Sequence, residues 1–66
     1  MKNRIRVERA EKRLTQQELA EQCAVSRQTI NAIESGKFIP STVLALKIAR
    51  TFDKRVEEIF ELEEND

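Results

Sequence analysis

Apolar residues in this chain recur in short helical bursts separated by cap and turn residues, and the clearest pattern runs from Thr15 to Gly36 (TQQELAEQCAVSRQTINAIESG). Thr15 followed three residues later by Glu18 predicts a capping box, with Leu14 and Leu19 placed to close a hydrophobic staple over the same turn. Leu19, Ala20 and Cys23 form the packed face of this first short helix. Ser26 caps a second, Val25 and Ile30 supply its staple, and Gly36 ends it.

On a helical wheel Ile30 and Ile33 share one side of the second helix, with Ser26 and Glu34 at its edges, so that side packs inward. The opposite side carries Gln28, Ala32 and Ser35, flanked by Arg27 and Asn31 on one shoulder and Thr29 on the other. Such a face suits a DNA major groove. Arginine can donate a fork to guanine, glutamine or asparagine can pair both ways with adenine, and small residues allow close approach. Arg27 and Gln28 fall in the first turn, the end that helix-turn-helix proteins insert.

The flanking segments read as support. Met1 to Arg13 gives a short lead-in and then a basic helix with Ile5, Arg9 and Leu14 toward the interior and Val7 off that stripe. Lys37 to Pro40 is a loop holding the only proline. Ser41 then caps a fourth helix to about Phe52, whose stripe is Leu44, Ala45, Ile48, Ala49 and Phe52, with Val43 outside it. Arg55 to about Leu62 predicts a fifth helix with Val56, Ile59 and Phe60 apolar, and Glu57 and Glu58 in the first turn complement its dipole.

Length and composition narrow the function. A domain of 66 residues buries only about 60% of its unfolded surface and is marginal without a further staple. One cysteine cannot form an internal disulfide, and without histidine there is neither a metal-ligand cluster nor a base to activate Cys23. Self-association is the staple left, so we expect a homodimer, with Phe60 and Leu62 together with Val43 or Val7 as its contact residues. With no glycine-rich phosphate loop either, the expectation is a protein that is not an enzyme, has no cofactor and binds no metal. No apolar run approaches the roughly 20 residues of a membrane span, and no signal-peptide pattern appears, so no membrane contact and a reducing cytoplasm are expected.

The net charge is zero, yet the charges are segregated. All twelve basic residues and six of the twelve acids lie in residues 1–55, leaving that part at +6, while residues 56–66 hold six acids and no base. The domain that would face DNA is therefore basic. The plain reading of the acidic end is a solvated tail, set against a regulatory or partner-binding one.

The run Val25-Ser26-Arg27-Gln28-Thr29-Ile30, then Ile33-Glu34-Ser35-Gly36-Lys37 and Pro40-Ser41, resembles the phage-repressor (Cro-like, XRE) helix-turn-helix family, and the similarity extends from about Asn3 to Leu62. The resemblance implies an all-α, five-helix, lambda-repressor-like bundle, with residues 1–62 as the DNA-binding domain and 63–66 as an acidic tail. Short members pair their two ends as a small two-stranded sheet, for which Met1–Arg4 and Phe60–Glu63 are the segments here. Carried over by position, Gln16 braces the recognition helix and reaches the DNA backbone, Arg27, Gln28 and Thr29 are recognition-helix contacts, and Ser35 and Lys37 meet phosphates. Ser26 and Asn31 complete the expected DNA-binding set.

The resemblance also pairs Arg9 with Glu34; read from the residues alone, Arg9 is either that partner or a snorkelling surface side chain. The pair is preferred because Glu34 would otherwise be an uncompensated acid at the inward side. Two positions depart from the family pattern. Ala24 stands where glycine is usual in a turn that tends to need a left-handed backbone, a strain of about 1 kcal/mol, and Cys23 replaces a larger aliphatic residue. The implied function is a sequence-specific, double-stranded DNA-binding transcriptional regulator, a repressor on a near-palindromic operator. The alternative is an antitoxin or other module that neutralises a partner protein.

Overall fold

The computed structural model describes all 66 residues. A two-residue strand β1 (Lys2–Asn3) leads into α1 (Ile5–Lys12), α2 (Gln16–Cys23), α3 (Arg27–Glu34), α4 (Thr42–Thr51), α5 (Val56–Ile59) and a second short strand β2 (Phe60–Glu61). Helices of eight residues are too short to hold by propensity alone. Each depends on its caps and on burial of one face.

The starts follow the side chains expected of them. Thr15 Oγ1 accepts from the Glu18 N–H at 3.0 Å while Glu18 Oε1 accepts from the Thr15 N–H at 2.9 Å, completing the capping box. Ser26 and Ser41 cap α3 and α4 by accepting from the N–H groups of Thr29 and Leu44, both at 3.2 Å. At α5 the Arg55 N–H donates to Glu58 Oε1 at 2.8 Å. Helix α1 is started by Asn3, whose Oδ1 accepts from the Ile5 N–H at 3.2 Å while its Nδ2 donates to the Ile33 carbonyl at 2.9 Å. One side chain thus begins α1 and ties down the last turn of α3.

The ends of α1 to α4 share one device. Arg13, Ala24, Gly36 and Asp53 are left-handed, with φ of 57°, 59°, 79° and 55°. At each, the N–H of that residue and of the next reach back to carbonyls of the last helical turn, as when Gly36 donates to Ile33 and Lys37 to Ala32. Only one of the four is glycine, so the other three carry the Cβ crowding of that conformation.

The core comprises Ile5, Leu19, Ala20, Cys23, Ile30, Ile33, Leu44, Ile48, Ala49, Phe52, Ile59 and Phe60. Cys23 is fully buried, with Sγ 3.9 Å from Thr51 Oγ1, and burial pushes its thiol pKa up, which makes it a packing residue.

Three expectations require correction. The fifth helix stops at Ile59, not near Leu62, because Phe60 and Glu61 turn extended and pair antiparallel with β1 in the register Lys2↔Glu61 and Asn3↔Phe60. Phe60 is consequently 7% exposed and belongs to the protomer's own core, which removes it as a subunit contact. The inward stripe of α1 also includes Glu8, a carboxylate 1% exposed whose two oxygens accept no hydrogen bond. Lys54 Nζ at 3.3 Å and Arg4 Nε at 3.9 Å supply the opposite charge. Burial of an acid on these terms is costly unless paired, and the turn at Asp53 is what brings Lys54 to it.

The exposed C-terminal residues do not float free. The Met1 ammonium lies 2.9 Å from Glu63 Oε1 and 3.1 Å from Asp66 Oδ2, and Asp66 Oδ2 also accepts from the Glu63 N–H at 2.8 Å.

Replacing Ala24 with glycine should relieve the left-handed strain by more than it costs in unfolded-chain entropy, raising stability by roughly 0.5–1 kcal/mol. Denaturant unfolding checks this. An unchanged or lower midpoint would show that the turn is not strained.

Candidate nucleic-acid interface

The α2–turn–α3 unit is held by one buried carboxylate. Glu34, on the last turn of α3, has a side chain only 1% exposed. Arg9 of α1 grips it with a fork, Nε to Oε2 at 2.6 Å and Nη2 to Oε1 at 3.1 Å, and its remaining arm donates from Nη1 to the Leu14 carbonyl at 2.9 Å. Arg6 adds charge at 3.6 Å, and Gln16 Nε2 of α2 donates to Oε1 at 3.4 Å. Burial pushes the Glu34 carboxyl up. The hydrogen bonds and charge of Arg9, helped by Gln16 and Arg6, outweigh that and hold it below its ordinary value. Three helices therefore meet at one ionised side chain.

Gln16 carries the network outward. Its Nε2 also donates to Asn31 Oδ1 at 3.2 Å, and its Oε1 accepts from Arg27 Nη1 at 3.5 Å. The amide thus joins the shoulder of α3 that bears Arg27 and Asn31 to the anchor at Glu34. This bracing role was implied for Gln16 by family resemblance; the branch to Asn31 has no signal in the local sequence, because it depends on how α2 crosses α3.

Around this anchor the expected site residues fall into two groups. Arg27, Gln28, Asn31, Ser35 and Lys37 are exposed along α3 and the turn after it. Ser26 and Thr29 are occupied with each other, since their hydroxyl oxygens are 3.0 Å apart and Ser26 also caps the helix. Ser35 Oγ donates to the Ala32 carbonyl at 3.1 Å. Ile30 and Ile33 are buried on the opposite side, which fixes the polar face toward solvent. Asn3 and Glu8 are the structural residues that the sequence patterns did not single out. Glu8 sits three residues after Ile5 and one before Arg9, so the helical period marks its position, and only its charge argued against burial.

The helix-turn-helix family pattern matches residues 5–59. Over 66 residues the chain is 50% identical to an uncharacterized HTH-type transcriptional regulator of Methanocaldococcus jannaschii, covering all of both chains. It is 45% identical over 64 residues to one of Bacillus subtilis, covering 97% of each. Among solved structures it resembles the restriction-modification controller protein C.AhdI from Aeromonas hydrophila, with a TM-score of 0.80, 33% identity and 86% of each chain covered. It also resembles the clp gene regulator ClgR from Corynebacterium glutamicum, with a TM-score of 0.77 and 30% identity, spanning 82% of this chain and 57% of that one.

The chain belongs to the XRE-type helix-turn-helix family. It is a transcriptional regulator built on a DNA-binding fold, and the family is not one of enzymes.

Truncating Arg9 or Glu34 to alanine should strand a partly buried charge and cost roughly 3 kcal/mol, while the double replacement costs less than the two singles together. Because the folded-state pKa of Glu34 is lowered, its bridge contributes fully above the ordinary glutamate range and is lost as pH falls through the lowered value. Glu34→Gln should therefore flatten the acid limb of the stability profile. Additive losses in denaturant unfolding, or an acid limb unchanged in Glu34→Gln, would contradict this role.

Proposed function

We propose that this regulator is a repressor that reads a near-palindromic duplex site as a homodimer. The observation that carries the reading is the outward face of α3, exposed and polar, on a helix whose other side is buried and whose shoulder is fixed through Gln16 to Glu34. Gln28 and Arg27 stand at the inserted end and address base edges, where one bidentate contact contributes about 1–3 kcal/mol of discrimination. Asn31 and Thr29 flank them, and Ser26 closes the first turn. Gln16, Ser35 and Lys37 meet the phosphate backbone, which contributes position and affinity without sequence information.

Dimerisation follows from what one protomer lacks. Helix α3 is eight residues long, about 12 Å, and spans only a few base pairs. Two copies give a longer site, with recognition helices about 34 Å apart on a two-fold axis. An exposed apolar strip is available for this contact: Val43 and Leu46 line one groove between α4 and α5, Ile39 and Leu46 line a second beside it, and Val56 lines both. This strip replaces Phe60 in the expected interface. Leu62, 78% exposed, lies just beyond β2. Occupancy of a promoter site by such a dimer is enough to repress.

The test is selection of bound fragments from a random duplex pool. The expected product is a near-palindrome with half-sites about one helical turn apart. Gln28→Ala or Arg27→Ala should flatten the preference at one or two positions of each half-site. Lys37→Ala should weaken all sequences about equally and lower the salt slope of log K by roughly 2 for the dimer. An asymmetric site, or a sequence preference untouched by both Gln28→Ala and Arg27→Ala, would overturn the reading.

Sedimentation tests the dimer separately. The unsubstituted chain should run as a dimer at micromolar concentration, and Leu46→Glu, which buries a charge in the interface, should shift it to monomer with its helical content retained. A monomeric unsubstituted chain, or a dimer indifferent to Leu46→Glu, would contradict the assignment.

A further inference from the structure

We propose that Phe38 is a DNA contact, its ring lying against the deoxyribose edges of the strand whose phosphate Lys37 meets. The inference rests on the reading of α3 as the DNA-facing helix and adds an apolar element to it. The chain has three phenylalanines and no tryptophan or tyrosine. Phe52 and Phe60 are core residues, whereas Phe38 is 50% exposed and is not among the half-buried side chains packed on the core.

A single exposed apolar residue is ordinary on a protein surface, so the ring's place in the fold is what decides. The N–H groups of Lys37 and Phe38 both donate to the Ala32 carbonyl, at 2.9 and 3.2 Å. Their backbone is therefore folded over the C-terminal end of α3, on the turn that carries Ser35 and Lys37. Immediately afterwards the chain passes to another surface: Ile39 and Pro40 line the groove that Leu46 and Val56 also border, and Pro40 is buried. Phe38 lines no part of that groove. Phe38 thus sits on the turn that carries Lys37, at the C-terminal end of the recognition helix, and lines neither groove assigned to the second copy.

Sugar C–H edges between two phosphates offer an apolar surface beside the phosphate that Lys37 would engage. Burial of the ring there adds affinity by removing apolar area from water, and it releases no counterions. The two neighbours therefore leave different signatures, Lys37 in the salt slope and Phe38 in salt-independent affinity.

Phe38→Trp introduces the chain's only tryptophan and reports on the contact directly. On addition of the duplex recovered by selection, its emission should shift to the blue and lose accessibility to acrylamide. Phe38→Ala should bind that duplex on the order of tenfold more weakly at every salt concentration, with the slope of log K, the thermal midpoint and the sedimentation coefficient of the free protein unchanged. Unaltered emission in a saturated complex, or full affinity in Phe38→Ala, overturns the contact while leaving the α3 reading in place. A blue shift that appears with protein concentration in the absence of DNA puts the ring between subunits and also overturns it. Failure of the unsubstituted chain to bind any duplex would instead overturn the α3 reading and, with it, this contact.

Discussion

The carboxylate of Glu34 is the constraint on which the rest of the molecule depends. An acid removed from water is costly unless its charge and its lone pairs are answered. Here the answers come from α1, through Arg9 and Arg6, and from α2, through Gln16. Because the Arg9 fork is planar and bidentate, it fixes direction as well as distance. The pitch of α3 against the other two helices is set by that geometry, and with it the direction in which Arg27, Gln28 and Asn31 project.

A second constraint is length. Four of the five helices are eight to ten residues long and the fifth has four, so little of their stability is their own. Side-chain caps at the starts and left-handed closures at the ends limit fraying, and burial of a single face does the rest. The small sheet joins the two ends of the chain and seats Phe60 in the core, while Asn3, two residues before α1, reaches across to α3. The segment before α1 thus helps to position α3. Charge is divided along the same lines, with a basic body and acids gathered after residue 55.

What could be read from the sequence was whatever a local pattern contains. Thr15 with Glu18, Ser26 before Ile30 and the glycine at 36 each act within one turn, so the boundaries of α2 and α3 and the inward side of α3 were legible, and the left-handed turn at Ala24 followed from the family pattern. The end of α5 was not, because Phe60 becomes extended only when β1, far away in the chain, is present to pair with it. Glu8 was missed because its burial depends on Lys54 arriving from the turn after α4. Of the exposed residues Ile39, Val43 and Leu46, only Val43 was marked, as lying off the stripe of α4; Leu46 sits on surface that the periodicity assigns to solvent, and Ile39 lies in the loop before the helix. The Gln16 branch to Asn31 likewise exists only once α2 and α3 have crossed.

The reading proposed for α3 puts its exposed face in the major groove. Methylation interference on the bound duplex separates the grooves, since guanine N7 lies in the major groove and adenine N3 in the minor. Guanine N7 methylation should interfere in two successive major grooves on one face of the duplex, with adenine N3 methylation tolerated between them. Interference confined to adenine N3, or to a single groove, would contradict it.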